Sequence, residues 1–158
     1  MSYVRSKREI ALCCASSGIA ASLYPGGRTA HNLFRIDVQD DADQERDISC
    51  SVSPNSQRAE LLRSAKVIVW DEFVMTHRKN FEAVNFMLKT IRQNSSEPCG
   101  GVIFIGAGDF RQIPPVVTNG SKWDIIQASV KRSSIWKIFQ QHRLMRSMRQ
   151  ADDPQYAK

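Results

Sequence analysis

The chain has 158 residues, with 22 Lys+Arg against 16 Asp+Glu for a net charge of +6, and 42% of it is hydrophobic. That balance describes one globular domain with enough apolar residues for a core. No run approaches the roughly 18 consecutive apolar residues of a membrane span, and Met1-Ser2-Tyr3-Val4-Arg5 opens no signal-type apolar stretch, so an intracellular protein is expected and membrane or secretory classes are not.

In chain order, Ile10 to Ala15 is an apolar run that stops at Ser16-Ser17-Gly18, and Ile19 to Leu23 supplies helix formers behind a serine cap. The pattern predicts strand, tight turn and short helix. Pro25-Gly26-Gly27 interrupts the chain, and Thr29 to Phe34 reads as a helical turn leading into an acidic loop at about 37–52, expected to be polar and mobile. Ser53-Pro54 reads as a capped helix start with proline in first position, with Leu61, Leu62 and Ala65 as its apolar face. Val67-Ile68-Val69-Trp70 is a continuous apolar run, as expected of a strand buried on both faces of a parallel sheet.

Phe81, Val84, Met87, Leu88 and Ile91 recur at helical spacing between His77 and Gln93. Val102-Ile103-Phe104-Ile105-Gly106 is a second fully apolar strand, and Trp123 to about Phe139 reads as helix, with a short strand near Arg143 to Met145. Trp123 and Trp136 are expected in the core. Strands alternating with helices in this way predict an α/β fold, a parallel sheet with flanking helices, in a single domain over residues 1–158. Cys13, Cys14, Cys50 and Cys99 form no C-x-x-C pair and no His stands at ligand spacing, so reduced thiols are expected rather than a disulfide framework or zinc site.

Charge is unevenly placed. Residues 37–60 hold seven acids, whereas Lys131, Arg132, Lys137, Arg143, Arg146 and Arg149 occur between Ile125 and Ala151 with no acid among them. Such a segment suits a phosphate-bearing partner. It equally suits the solvated outer face of a core helix, because Ile125, Ile126, Val130, Ile135, Trp136, Ile138 and Phe139 must pack.

Three strings carry chemistry. In Val67-Ile68-Val69-Trp70-Asp71-Glu72 two carboxylates follow a buried strand, at the sheet edge where ligands bind, so Asp71 is a candidate to hold Mg²⁺ through water and Glu72 to polarise an attacking water. Gly106-Ala107-Gly108-Asp109-Phe110-Arg111-Gln112-Ile113-Pro114-Pro115 leaves the next strand, bringing Asp109 and Gln112 to the same edge. Glutamine both accepts from water and donates to a phosphate oxygen. Ala15-Ser16-Ser17-Gly18-Ile19-Ala20-Ala21, followed by Gly26-Gly27-Arg28-Thr29-Ala30-His31, offers backbone amides at a helix start plus hydroxyl, guanidinium and imidazole donors. Taken singly, each string also reads as an ordinary strand end, a rigid loop or a capped turn.

Together, A-S-S-G-I-A-A, G-G-R-T-A-H, V-I-V-W-D-E and G-D-F-R-Q-I-P-P-V resemble the motor core of the petite-integration-frequency family of superfamily-one DNA helicases, including helitron-borne relatives, across roughly residues 10–150. The resemblance implies a RecA-like domain of the P-loop NTPase type that hydrolyses ATP with Mg²⁺ and moves 5′ to 3′ on single-stranded DNA in repair, recombination and telomere maintenance, in nucleus or mitochondrion. It implies metal and general-base roles for Asp71 and Glu72, nucleotide contacts from Asp109 and Gln112, the latter at the γ-phosphate, and a DNA track along Ser16, Ser17, Thr29 and His31. Leu144-Met145-Arg146-Ser147-Met148-Arg149 is similar to the family's L-x-x-N-M-R element, with Ser147 in place of the usual Asn, and its Arg149 would reach the phosphates.

No G-x-x-x-x-G-K-[ST] loop occurs in the sequence, and Tyr3 to Glu9 resembles the tail of the helix that follows it in the family. The resemblance therefore implies a first motor domain truncated at both ends, inactive alone, whose phosphate loop and second motor domain come from a parent chain. Its central loop-bearing strand would be missing, so unpaired apolar edges and marginal stability are expected. The alternatives are a non-catalytic remnant that binds single-stranded nucleic acid and a purely structural α/β domain.

Overall fold

The computed structural model describes residues 1–37 and 48–145. Its frame is a four-stranded parallel sheet in the order β2-β1-β3-β4. The strands are β1 (Ile10–Ala15), β2 (Arg28–Thr29), β3 (Ala65–Asp71) and β4 (Ile103–Gly106). Around them lie α1 (Ser2–Ser6), α2 (Gly18–Ser22), α3 (Ala30–Phe34), α4 (Gln57–Ser64), α5 (Arg78–Ile91) and α6 (Lys122–Ala128). The two apolar runs 10–15 and 65–71 form the central pair, in register from Ala11↔Val67 to Ala15↔Asp71.

The core forms where the apolar stripe of α5 meets the sheet. Phe81, Val84, Met87, Leu88 and Ile91, on successive turns of one helix face, are all buried. Phe81 packs edge-on to Phe73 at 5.0 Å between ring centroids and meets Phe104 at 5.3 Å and Phe139 at 5.7 Å, while Trp70 joins Phe34 and Phe73 at 5.5 Å each. Arg92, just past α5, donates from Nη1 to the carbonyls of Leu62, Arg63 and Ala65 and from Nε to that of Gly100. It thereby ties α4, the start of β3 and the turn before β4 to one side chain. Gly100 needs its left-handed φ of +64°, and a Cβ there would stand 2.7 Å from the Leu88 carbonyl oxygen.

Several expectations are corrected. The helix expected from Ser53-Pro54 begins later: Ser56 caps α4 by accepting from Ala59 N–H, while Ser53 only accepts from Ser56 in the preceding turn, and Ala65 opens β3. The single helix expected over 123–139 is broken after Ala128 into 3₁₀ turns at Val130–Arg132 and Ser134–Ile138. Ser129 and Ser133 cause the break, each accepting from a backbone N–H two residues on, the local bond by which serine competes with helix. Trp123 is 62% exposed on α6 instead of buried, whereas Trp136 does pack, against Phe110 and Phe139.

Residues 143–145 hold no strand. β4 is not buried on both faces: Ile103 is 55% and Ile105 46% exposed, and among the described residues no strand pairs with its outer edge. The acidic loop is closed at its base by the Ile36↔Cys50 bridge and by Ser49 and Ser51, which both donate to the Asp37 carboxylate. The mobility expected of it falls on residues 38–47, outside the described residues. All four cysteines are free thiols.

Candidate functional site

Register brings the three sequence strings to one edge. Ala15 stands opposite both Asp71 and Thr29, and Trp70 opposite Gly106, so all strands end together. Pairing continues one step further: Ser16 N–H donates to Asp71 O at 3.1 Å, Ala107 N–H to Trp70 O at 2.9 Å and Phe73 N–H to Ala107 O at 2.8 Å. The carboxyl edge, where parallel sheets bind ligands, therefore carries Ser16-Ser17, Thr29, Asp71-Glu72 and the 107–109 loop side by side. Gly106 makes this approach possible, since a Cβ there would lie 2.5 Å from the Phe73 ring.

Ser16 joins the first string to the second. Its hydroxyl donates to Glu72 O at 2.8 Å, accepts from Trp70 Nε1 at 3.0 Å and lies 2.9 Å from Thr76 Oγ1. With its one proton on the Glu72 carbonyl, the Thr76 hydroxyl is left to donate. Glu72 itself sits in the left-handed region, φ 52° and ψ 34°, and its carbonyl also receives Met75 N–H at 3.0 Å. These two bonds hold a conformation that L-residues ordinarily avoid. Ser16 thus has its hydrogen-bonding capacity committed inside the protein, whereas Ser17 caps α2 by accepting from Ala20 N–H at 3.2 Å.

The Asp71 carboxylate is held at both oxygens. Oδ1 accepts from Glu72 N–H at 2.9 Å and Oδ2 from the Tyr24 hydroxyl at 2.7 Å. That bond to the carboxylate, helped by burial, pushes the Tyr24 phenol up to about 12. Each Asp71 oxygen keeps a further lone pair. Among the described residues no group of three or more His, Cys, Asp or Glu could cage a metal. One restrained carboxylate beside a half-buried Glu72 fits a hard cation held chiefly by water and substrate phosphates, the usual arrangement for Mg²⁺ at phosphate sites.

Asp109 is engaged elsewhere: Arg111 grips it with Nε to Oδ1 at 3.1 Å and Nη2 to Oδ2 at 3.0 Å, which holds its carboxyl below the ordinary range. Gln112 follows on the same turn, its N–H donating to Asp109 O at 3.0 Å, and is exposed at a groove of about 420 Å³ between the Pro114-Pro115 loop and α6. Arg149 lies outside the described residues.

On the other flank Thr29 caps α3, accepting from Asn32 N–H at 3.2 Å, and His31 stands in the first turn of α3 with its side chain exposed. Partial desolvation of the ring holds the His31 imidazole below its usual value. Around α3 three guanidiniums gather. Arg58 donates to the carbonyls of Asn32 and Leu33, and its charge is disfavoured by burial and by the positive charges of Arg35 and Arg28. Sequence reasoning names Arg28 as a donor beside Thr29 and His31 and a basic segment at 125–151, but not the gathering of Arg28 with Arg35 and Arg58, nor Tyr24 or Thr76, because the members come from separate segments. In the 125–151 segment, Lys131, Arg132, Lys137 and Arg143 are exposed, and Lys131 Nζ sits 3.9 Å above the Phe110 ring.

Comparison with known proteins gives this edge its context. The PIF1-like helicase family matches residues 1–158. The ATP-dependent DNA helicase Pif1 of Psychrobacter sp. (strain PRwf-1) is 37% identical over 118 residues, 75% of this chain and 17% of that protein. The ATP-dependent DNA helicase PIF1 of Danio rerio is 34% identical over 108 residues, 68% of this chain and 16% of that protein. The chain thus spans about a sixth of the length of these two relatives. Among solved structures, Pif1 from Candida albicans superposes with a TM-score of 0.72 over 99% of this chain and 34% of that one at 23% identity, a likeness of fold. Pif1 from Bacteroides in complex with ADP-AlF3 and ssDNA gives 0.64 at 26% identity, over 80% of this chain and 29% of that one. The fold is the α/β, RecA-like arrangement of Pif1 helicase domains, and the chain belongs to the PIF1-like helicase family.

Proposed function

We propose that this chain is part of the first motor domain of an ATP-dependent DNA helicase that translocates 5′ to 3′ on single-stranded DNA, acting in repair, recombination and telomere maintenance in the nucleus or mitochondrion. The observation that carries the reading is the common end of the four strands, which sets Asp71 and Glu72 between the Thr29/His31 flank and the 106–112 loop. Family membership supports it, as does the solved Bacteroides relative in complex with ADP-AlF3 and ssDNA.

In this reading the Asp71 carboxylate orients the water shell of a nucleotide-bound Mg²⁺, and Glu72 accepts the proton of the water that attacks the γ-phosphate. Mg²⁺, when bound, supplies charge neutralisation on the phosphates. Gln112 contacts the γ-phosphate and Asp109 lies near the nucleotide, with Arg149 completing the phosphate contacts. Ser17, Thr29 and His31 face the DNA strand, and Ser16 acts behind them by fixing Glu72; Arg28, Arg35 and Arg58 add positive charge beside this track. The phosphate-cradling loop and the second motor domain come from the rest of a longer parent protein.

The test is Glu72→Gln in that full-length protein. ATP turnover is expected to fall by about 10²–10⁴, as for loss of a general base, with ATP binding retained. Retained turnover would remove Glu72 from the assigned role.

A second reading, a non-catalytic remnant that binds single-stranded nucleic acid, draws on the Arg28/Arg35/Arg58 cluster beside α3. It requires affinity that falls steeply with salt and ignores ATP, which fluorescence anisotropy with an oligothymidylate reads directly.

A further inference from the structure

Asp71 is restrained by its own chain on one side and by a distant segment on the other. Glu72 N–H fixes Oδ1, and Tyr24, 47 residues away, fixes Oδ2 at 2.7 Å. Tyr24 is itself held on the turn between α2 and β2: its N–H donates to Ala21 O at 3.3 Å and its carbonyl accepts Gly27 N–H at 2.9 Å. That turn is closely packed at Gly27, where a Cβ would stand 2.3 Å from Ala21 O and 3.0 Å from Tyr24 Cβ. One residue later the chain enters Arg28-Thr29-Ala30-His31, the flank assigned to DNA.

A carboxylate with one anchored oxygen can swing about its terminal torsion, which is broad and soft. A second donor on the other oxygen fixes its plane and leaves one lone pair on each oxygen for the water shell of a cation. The Tyr24 hydroxyl is the part of the α2–β2 turn that touches this carboxylate, so movement of the turn is felt at Asp71.

We propose that Tyr24 is a positioning residue that holds the Asp71 carboxylate in the orientation required for phosphate-bound Mg²⁺ and links that orientation to the DNA-facing turn at Arg28–His31. This rests on the reading of Asp71 as the metal-side carboxylate under Proposed function. The link makes strand occupancy and metal affinity reciprocal, since coupling between two sites acts equally in both directions.

The test measures Mn²⁺ binding in the presence of ADP by electron paramagnetic resonance, on the full-length protein, with and without an oligothymidylate. Tyr24→Phe keeps the ring and removes only the donor. It is expected to weaken Mn²⁺ binding about tenfold and to shrink the DNA-induced change in Mn²⁺ affinity, leaving metal-free ADP affinity and the melting temperature unaltered. Tyr24→Leu is expected to give the same loss. The proposal is overturned if Tyr24→Phe binds Mn²⁺ within twofold of the parent while Asp71→Asn loses it, or if Leu alone weakens binding, because ring packing would then account for the effect. If Asp71→Asn itself binds Mn²⁺ normally, the metal reading of Asp71 falls first, and the role of Tyr24 falls with it.

Discussion

Ser16 shows how one small side chain can be read two ways. By sequence it belongs to a hydroxyl-rich turn facing a ligand; in the fold it bridges Trp70 Nε1, Thr76 Oγ1 and the Glu72 carbonyl, partners 54 to 60 residues away. Trp70 is 1% and Thr76 5% exposed, so water cannot readily replace the missing partner when the hydroxyl is removed. Ser16→Ala is therefore expected to cost about 2–3 kcal/mol, seen as a lower urea midpoint at unchanged slope. Ser17→Ala, which removes a cap on a single-turn helix, is expected to cost about 1 kcal/mol. Equal losses for the two would refute the bridging role of Ser16. The position of Asp71 and Glu72 at the tip of β3 is legible because an apolar run ends at them. The groups that orient them, Ser16 and Tyr24, were not, since only the parallel register reveals which distant side chains meet at a strand tip.

At the scale of elements, periodicity was informative where one signal dominated. The stripe from Phe81 to Ile91 identified α5, and the apolar runs identified β1 and β3, because burying those faces outweighs every local alternative. Where serines offer competing local bonds, the boundaries moved: α4 starts from Ser56 and not from Ser53, and Ser129 and Ser133 cut the expected helix after Ala128. The two-residue β2 was invisible, because it is defined by pairing with Cys14 and Ala15 and carries no pattern of its own. The α4 start makes a direct prediction. Ser56→Ala should destabilise the domain by about 1 kcal/mol, whereas Ser53→Ala, which leaves the carbonyl that accepts from Ser56 in place, should change stability by less than about 0.5 kcal/mol in urea unfolding. The reverse order would restore Ser53 as the cap.

At the scale of the molecule, β4 sets the behaviour of this chain on its own. It pairs with β3 along one edge, and its other edge borders an open groove of about 1200 Å³ whose lining includes Phe104, Ile105, Ile135, Ile138 and Phe139. Among the described residues no strand pairs with that outer edge, and strand amides and carbonyls left so beside exposed apolar side chains are a template for another strand. The resemblance to the helicase motor core implies an unpaired apolar edge but not which strand carries it; that depends on the sheet order, which no local pattern encodes. The exposed bases Lys131 and Arg143 also line the groove, yet like charges some distance from the strand do little against edge pairing once salt screens them. The isolated 158-residue chain is therefore expected to self-associate as its concentration rises in sedimentation velocity at physiological salt. Ile105→Lys, which puts a charge on the edge strand itself, should shift it towards monomer without lowering the melting temperature, because Ile105 is already 46% exposed. If the unsubstituted 158-residue chain stays monomeric at high concentration, the β4 edge is protected and the expected pairing is refuted. A lysine variant that loses its cooperative transition would mean that Ile105 contributes to the core more than its exposure indicates.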